Sequence, residues 1–245
     1  MRTLQQPLFT PETEWVPPER LPDLSSHAEI AIDLETRDPN LITMGSGAVR
    51  RDGEIVGIAV AVEGWAGYFP IAHEGGGNMD RGLVLDWFEE LLQTTSTKIF
   101  HNAMYDVSWI RSLGFYINGG IVDTMIATSL IDENRYSYTL DSVGKDYIGM
   151  RKNEKLLQDA AKDFGVNPKA EMWRLPAPFV GEYAEKDAEM TLKLWHALQH
   201  EISKQDLWDV FNLETQLFPC LVDMKFKGVR VDVQKAMSVK AQLQE

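Results

Sequence analysis

The chain of 245 residues carries 24 Lys and Arg against 37 Asp and Glu, which gives a formal net charge of −13. Hydrophobic residues make up 44% of it and charged residues 25%, a composition that excludes disorder for most of the chain. No apolar run reaches about 18 residues, which excludes a membrane span, and the single cysteine, Cys220, excludes an internal disulfide and a cysteine-rich zinc site. We therefore expect a cytoplasmic protein of one domain plus an extension, with no membrane partner.

The acidic charge bears directly on nucleic acid binding. A protein that holds nucleic acid through phosphate contacts alone should be basic, so the charge by itself argues against such a partner. That argument fails if the excess carboxylates hold divalent cations, because a bound cation reverses the local sign of the potential. The spacing of the acidic residues has to decide between the two cases.

The predicted elements change character along the chain. Residues 1–26 hold five of the eleven prolines and show no hydrophobic period, which predicts a poorly ordered lead-in. Three strands joined by short turns then favour an antiparallel meander, at residues 28–33, 54–62 and 67–71. Two shorter strands are predicted at residues 99–101 and 120–122. Helices are predicted at residues 82–92, 103–113, 123–131, 138–147, 153–164, 182–203 and 207–226. This order predicts an α/β fold with a mixed sheet and helices packed on it.

The first acidic feature is a pair of carboxylates at the predicted end of the first strand. Asp33 and Glu35 lie two residues apart, so their side chains share one face of an extended segment. Two such carboxylates repel each other and are costly to desolvate unless a positive group joins them. Taken alone, the pair is more typical of a solvated turn.

A second acidic feature follows the fourth predicted strand. Asn102 is placed to cap the next helix, and Asp106 lies in its first turn, where the helix dipole favours an acid. Asp123 is likewise most simply the N-cap of its own helix. By itself this pattern indicates ordinary capped helices.

A third feature heads the longest predicted helix. Tyr183 and Asp187 lie one turn apart on the same helix face. That face continues as a mostly apolar stripe through Thr191, Leu194 and Leu198, so Asp187 is expected to point inward. The simpler interpretation is a Tyr–Asp hydrogen bond at a helix end.

Taken together and in this order, the three features resemble the motifs of the DEDD superfamily of 3′–5′ exonucleases, in the subclass with tyrosine in the third motif. The segments KIFHNAMYDVSWI, DTMIATSLIDE, TLDSVGKDYIG and YAEKDAEMTLKLW are similar to the proofreading domain of family A DNA polymerases, most of all in phages. The similarity runs from about Glu29 onward, and residues 213–232 resemble the segment that leads into the polymerase domain.

The resemblance implies an RNase H-like exonuclease domain over residues 27–205 and the beginning of a polymerase domain over residues 206–245. Fingers, palm and thumb motifs are absent, so we expect the sequence to be part of a longer polymerase in a bacterial or phage-infected cell. The implied activity is metal-dependent 3′–5′ hydrolysis of DNA, which releases 5′-mononucleotides during proofreading. Its partners would be a single-stranded or frayed DNA 3′ end and a polymerase domain.

The resemblance also implies roles for particular residues. Two Mg²⁺ or Mn²⁺ ions would be held by four catalytic carboxylates: Asp33, Glu35, Asp106 and Asp187. Asp33 would bridge both ions, Glu35 and Asp187 would complete the tighter site, and Asp106 would hold the second ion. Tyr183 would orient the attacking water together with Glu35, and the substrate would be contacted by Thr36, His101 and Asn102. Carboxylate oxygens are hard ligands that suit such cations, and two of these cations can clamp a phosphodiester during its hydrolysis.

Two alternatives stay open at this point. An exoribonuclease of the same superfamily would have the same carboxylates and would differ in its recognition of the ribose 2′-hydroxyl. A non-catalytic RNase H-like scaffold would be expected to lose some of the four acids, all of which this chain keeps. The basic pairs Arg50–Arg51 and Lys152–Lys155 are too sparse to predict a nucleic acid surface.

Overall fold

A five-stranded mixed sheet forms the centre of the molecule in the computed structural model, which describes residues 12–244. Its strands, in spatial order, are β3 (Trp65–Pro70), β2 (Glu54–Val62), β1 (Glu29–Arg37), β4 (Thr97–Phe100) and β5 (Ile121–Asp123). The β1–β2 and β2–β3 pairs are antiparallel, whereas the β1–β4 and β4–β5 pairs are parallel. The predicted mixed α/β sheet is confirmed, with its three antiparallel strands followed by alternating helices and strands.

Helices pack on both faces of this sheet. In chain order they are α1 (Leu41–Met44), α2 (Gly47–Arg50), α3 (Arg81–Gln93), α4 (Ala103–Ser112), α5 (Thr124–Ile131), α6 (Leu140–Ile148), α7 (Lys155–Phe164), α8 (Gly181–Lys204), α9 (Trp208–Lys227) and α10 (Val233–Gln244). Of these helices, α1 and α10 bury none of their described residues. Two short 3₁₀ turns, Met172–Arg174 and Ala177–Phe179, precede α8. Within residues 12–244, no helix combines the length and the apolar character needed to cross a membrane.

Strand β1 is longer than the sequence predicts. The predicted end at Asp33 is wrong, because β1 stays paired with β2 as far as Arg37. Asp33 lies opposite Ala59 and Glu35 opposite Gly57, with an irregularity in the pairing after Glu35. The connection from β1 to β2 is also not a short turn, since it contains α1 and α2. Both acids therefore lie inside a rigid strand and face small neighbours on β2.

The alternation of β1 directs its side chains into two cores. Ile30, Ile32 and Leu34 belong to the core that includes residues of α3 and α4, whereas Ala31 belongs to the core that includes residues of α8. Since side chains alternate along a strand, the acids at 33 and 35 share the face of Ala31 and point towards α8. The fold thus places an acidic pair beneath its longest helix.

Part of the predicted lead-in packs against the domain. Residues 1–11 lie outside the described residues, but the Trp15 indole stands 6.0 Å from the Tyr68 ring and donates a 2.9 Å hydrogen bond to Glu185. An added Cβ at Gly181 would lie 2.1 Å from that indole, so only glycine allows this close approach at the start of α8. Leu24 is buried as well. Trp15 and Leu24 thus hold this segment, which lacks regular secondary structure, against the domain.

Candidate active site

Four acids from three distant segments meet beside the central strand. Asp33 and Glu35 come from β1, Asp106 from the first turns of α4 and Asp187 from α8. Strand β4 runs parallel to β1, so α4 begins at the same edge of the sheet. Helix α8 packs across β1, β2, β3 and β4 and brings Asp187 over the acidic pair. The structure thus assembles the acids that the sequence analysis singled out.

Burial and mutual repulsion dominate the electrostatics of these acids. Burial, then repulsion from Asp187, raises the pKa of Asp33 to about 7. Burial, then repulsion from Asp33 and Asp187, raises the pKa of Glu35 well above its ordinary value. Burial, then repulsion from Asp33, does the same to the pKa of Asp106. Asp33 therefore interacts with Glu35, Asp106 and Asp187, and burial together with this repulsion disfavours the ionised forms, a pattern that is common at functional sites.

Asp106 is fixed by the backbone of β1. Its Oδ1 accepts a hydrogen bond of 3.0 Å from the Leu34 amide, and the side chain is buried. The parallel pairing of β1 with β4 ends at Ala31, so the Leu34 amide lies beyond that ladder. Asp106 is therefore held directly on β1, at the residue between Asp33 and Glu35.

Asp123, rather than Asn102, caps helix α4. The predicted capping by Asn102 is wrong, because this residue adopts a left-handed backbone (φ 68°, ψ 53°) and its side chain makes no capping bond. Asp123 instead accepts hydrogen bonds from the amides of Asn102 (3.0 Å) and Ala103 (2.8 Å). It also caps its own helix, as predicted, through the Met125 amide at 2.9 Å. One carboxylate thus holds the N-termini of both α4 and α5, and the Asn102 side chain is left exposed.

Both ring nitrogens of His101 are engaged inside the protein. Nε2 lies 2.8 Å from the Tyr138 carbonyl and Nδ1 lies 2.8 Å from the Thr124 hydroxyl. Burial lowers the pKa of His101 to about 4, so the ring is neutral at pH 7 and its single proton belongs on Nε2. In this arrangement neither nitrogen faces a substrate, and the ring ties the end of β4 to the segment before α6. The predicted substrate contact of His101 would have to use another part of the residue.

Thr36 makes a short side-chain contact with α4. Its hydroxyl lies 2.5 Å from the Tyr105 hydroxyl, and the Tyr105 ring stands edge-on to Trp109 with centroids 6.3 Å apart. This contact links the end of β1 to the turn that carries Asp106. Thr36 thus lies next to Glu35 at the end of β1, and its contact with the substrate stays a prediction.

Lys152 is the residue that the sequence analysis missed. Its Nζ lies 2.5 Å from Asp187 Oδ2 and 3.1 Å from the Tyr183 hydroxyl, and it stands 5.0 Å from the centre of the Tyr183 ring. The backbone amide of Lys152 donates to Asp141 Oδ1 at 3.0 Å, which anchors the segment between α6 and α7. Lys152 precedes Asp187 by 35 residues and lies in a segment with no hydrophobic period, so nothing in the sequence indicates that the two side chains meet.

A cleft of about 770 Å³ opens beside Tyr183. Its basic lining residues are Arg151, Lys152, Lys155 and Lys169, and its acidic ones are Asp141 and Glu154. The prediction that the lysines and arginines are too sparse for a nucleic acid surface overlooked this grouping, in which three of the four residues lie within five positions of the chain and the fold adds Lys169.

The chemistry of the donor set fits Mg²⁺ or Mn²⁺. All four acids offer hard oxygen ligands, and Asp187 Oδ1 is buried with no hydrogen-bond partner, as an oxygen reserved for a cation would be. Within residues 12–244, however, no three Asp, Glu, His or Cys side chains stand at the spacing of a closed metal site. In this arrangement the ammonium of Lys152 holds Asp187 Oδ2.

Comparison with known proteins identifies the family. The sequence profile of the 3′–5′ exonuclease domain of family A DNA polymerases matches residues 17–203. The chain therefore belongs to this family of 3′–5′ exonuclease domains, as its motifs predicted.

A phage DNA polymerase is among its relatives. The DNA-directed DNA polymerase of Pseudomonas phage M6 is 40% identical over 245 residues, which cover 95% of this chain and 36% of that protein. The chain spans about a third of the length of the curated polymerases that it matches first.

Solved nucleases share the fold. NrnC of Brucella melitensis, solved with bound Mg²⁺, gives a TM-score of 0.59 at 19% identity and covers 84% of this chain and 89% of its own. Escherichia coli RNase D, an exoribonuclease involved in structured RNA processing, gives a TM-score of 0.57 at 16% identity and covers 84% of this chain and 47% of its own. At these identities the two structures establish the fold alone.

Proposed function

We propose that this chain is a metal-dependent 3′–5′ exonuclease that hydrolyses DNA from its 3′ end and releases 5′-mononucleotides. The observation that carries the proposal is the meeting of Asp33, Glu35, Asp106 and Asp187 beside a basic cleft, where Asp187 raises the pKa of Asp33 and Glu35 and Asp33 raises the pKa of Glu35 and Asp106. Such a cluster is unfavourable in the absence of cations and becomes favourable when divalent ions join it. Membership of an exonuclease family supports the same conclusion.

The four acids would hold two divalent cations. When bound, these ions supply neutralising charge for the phosphodiester and lower the pKa of a water molecule. Asp33 interacts with each of the other three acids. It raises the pKa of Glu35 and that of Asp106, and its own pKa is raised by Asp187. That position suits a ligand shared by both ions, with Glu35 and Asp187 on one side and Asp106 on the other.

Tyr183 would position the attacking water as a hydrogen-bond donor or acceptor. Burial, followed by repulsion from Asp187, Glu35 and Asp33, raises the pKa of the Tyr183 phenol far above its ordinary value. The phenol therefore stays protonated and does not act as a general base. Its hydroxyl stands within hydrogen-bond distance of Lys152, at the boundary between the acids and the cleft. Thr36 and Asn102 would contact the terminal nucleotide.

DNA is the substrate that the relatives favour. The proteins that this chain matches by sequence are DNA polymerases, in which a 3′–5′ exonuclease would remove misincorporated nucleotides. A 3′–5′ exoribonuclease is the second candidate, because RNase D has the same fold. Recognition of the 2′-hydroxyl separates the two.

The proposal is tested on strands that differ only in the sugar. A 5′-labelled single strand of DNA should be shortened from its 3′ end in Mg²⁺, with 5′-mononucleotides as products and with no reaction in EDTA. The same strand made of RNA should be degraded more slowly. Circular single-stranded DNA is the control, and internal cuts in it would refute exonuclease action. Faster degradation of the RNA strand would favour the second candidate.

We also propose that residues 206–245 lead into a polymerase domain, as their sequence predicts. The polymerases that the chain matches are about three times as long. Helix α9 buries one side against the domain through Phe211, Phe218 and Val222. It exposes a second apolar side through Leu213, Leu217 and Met224. A helix that is apolar on two sides is suited to join two domains.

A further inference from the structure

We propose that Lys152 is the internal counter-cation of the acidic site and that a divalent metal ion displaces it from Asp187. This inference deepens the proposed function and rests on it for the presence of a metal. It adds to the motif residues a lysine from the α6–α7 segment that neither the family motifs nor the sequence pattern identified.

The position of the Lys152 ammonium supports the proposal. Nζ holds Asp187 Oδ2 at 2.5 Å and the Tyr183 hydroxyl at 3.1 Å, so it stands among the groups proposed for the metal and the attacking water. The side chain of Lys152 is only 17% exposed and that of Asp187 only 4%. A nearly buried ammonium in contact with a buried carboxylate is a specific pair rather than a transient surface contact.

The Lys152–Asp187 pair offsets part of the repulsion among the acids. The repulsion among Asp33, Glu35 and Asp187 is opposed by Lys152, which interacts favourably with all three. A metal ion needs the same carboxylate oxygens at about 2.0–2.1 Å, the ligand distance of Mg²⁺. An ammonium already in contact with Oδ2 repels an arriving cation and covers one of its ligands, so the two cations compete.

The fold provides a place for the displaced side chain. Lys152 also lines the cleft of about 770 Å³ beside Tyr183, which is open to solvent and to a substrate strand. Its backbone is held by Asp141, so the ammonium can move into the cleft without movement of the segment. Displacement would thus add a positive charge to the cleft at the moment when the metal is bound.

Metal affinity tests the competition without any measurement of activity. Binding of Mn²⁺ is measured by calorimetry for the parent, Lys152→Met and Lys155→Met. Lys152→Met should bind Mn²⁺ at least tenfold more tightly than the parent, a gain of about 1.4 kcal/mol. Lys155→Met is the matched control, because it removes the same charge from an exposed position in the same cleft and should change the affinity less than threefold. Lys152→Arg keeps the charge and should bind as weakly as the parent.

A second measurement uses the parent protein alone and does not depend on the folding of a variant. Acylation of individual lysines by an amine-reactive ester is followed by mass spectrometry, with and without Mn²⁺. Acylation of Lys152 should rise several-fold when Mn²⁺ is added, whereas that of Lys155 should not change.

The outcomes separate this inference from the proposed function. Equal or weaker Mn²⁺ binding by Lys152→Met, or acylation of Lys152 that Mn²⁺ leaves unchanged, would overturn the competition and leave the metal site in place. A parent that binds no Mn²⁺ would overturn both.

Discussion

At the scale of single residues, the four acids of the site could be predicted from the sequence, whereas some of the residues around them could not. Asp33, Glu35, Asp106 and Asp187 were predicted because their motifs occur in a fixed order, and the fold brings them together. Lys152 was not predictable, since its partner is fixed only by the packing of the α6–α7 segment against α8. The second role of Asp123 was missed for the same reason: it caps a helix that begins 20 residues before it.

Replacement of Tyr183 by Phe should slow the chemical step and leave metal binding largely intact. The change removes only the phenolic oxygen, which we place beside the attacking water. A positioning hydrogen bond that matters most in the transition state is worth ~1–3 kcal/mol, so kcat should fall roughly tenfold to a hundredfold with little change in KM. Single-turnover rates at saturating Mg²⁺ measure the effect. Rates equal to those of the parent would remove Tyr183 from the mechanism without affecting the four acids.

The stability of the metal-free protein should depend on the ionisation of Asp33. Its pKa is raised from 3.8 to about 7 in the folded state, so the folded protein binds a proton more tightly than the unfolded chain does. The favourable contribution of that proton is fully present below pH 3.8 and is lost as the pH rises to about 7. An asparagine at this position does not ionise, so the Asp33→Asn variant does not lose this contribution to stability as the pH rises. Its free energy of unfolding, relative to the parent, should therefore be about 1–2 kcal/mol higher at pH 8 than at pH 5.5.

Urea denaturation in EDTA at the two pH values provides this measurement. Saturating Mg²⁺ should stabilise the parent at pH 8 and leave Asp33→Asn nearly unchanged. A difference between the two proteins that does not vary with pH would show that Asp33 is ionised in the metal-free fold.

At the scale of secondary structure, the five strands and helices α3 to α9 were predicted in type and order, whereas their ends, the connection through α1 and α2, and helix α10 were not. The apolar alternation of β1 ends at Leu34, so the sequence could not show that pairing with β2 continues to Arg37. The helices α1 and α2 have only four residues each, too few for a hydrophobic period to appear. Asn102 has the residue type of a cap, but its left-handed backbone turns the side chain away from the helix.

Asp123→Ala should destabilise the fold and also lower activity. The carboxylate caps both α4 and α5, and each lost cap costs about 1 kcal/mol, so a loss of about 2 kcal/mol is expected. Activity should fall as well, because α4 carries Asp106. The matched control is Asp80→Ala, which removes a single cap from α3 (the Leu83 amide, 2.9 Å) and should cost about 1 kcal/mol with unchanged activity. Equal losses of stability in the two variants would contradict the double cap.

At the scale of the whole molecule, the net charge of −13 does not describe the surface that meets the substrate. Acids that would hold cations are gathered under α8, and basic residues are grouped in the cleft beside them. The class of fold followed from the order of the predicted elements, and the family followed from the motifs. The sequence places Arg151, Lys152 and Lys155 close together but does not show that they line a cleft beside Tyr183, or that Lys169 joins them there.

The packing of residues 12–26 predicts that Trp15 contributes to the stability of the whole domain. Its indole packs on Tyr68 and on the surface of Gly181 and donates to Glu185. Because the indole is only partly buried, Trp15→Ala should lower the free energy of unfolding by about 2–3 kcal/mol, less than for a core aromatic residue. Chemical denaturation measures the loss. A loss below about 0.5 kcal/mol, the size of a neutral surface change, would mean that this segment contributes nothing to the domain.

The most direct test of the central proposal is a crystal structure of the protein soaked in Mn²⁺, with anomalous diffraction used to locate the metal. We expect Mn²⁺ bound to Asp33 and Asp187, with carboxylate oxygens at about 2.0–2.2 Å, the range for hard divalent ions of this size. Lys152 Nζ should have moved from its place 2.5 Å from Asp187 into the cleft. Ordered carboxylates at saturating Mn²⁺ with no anomalous peak among them would contradict the account.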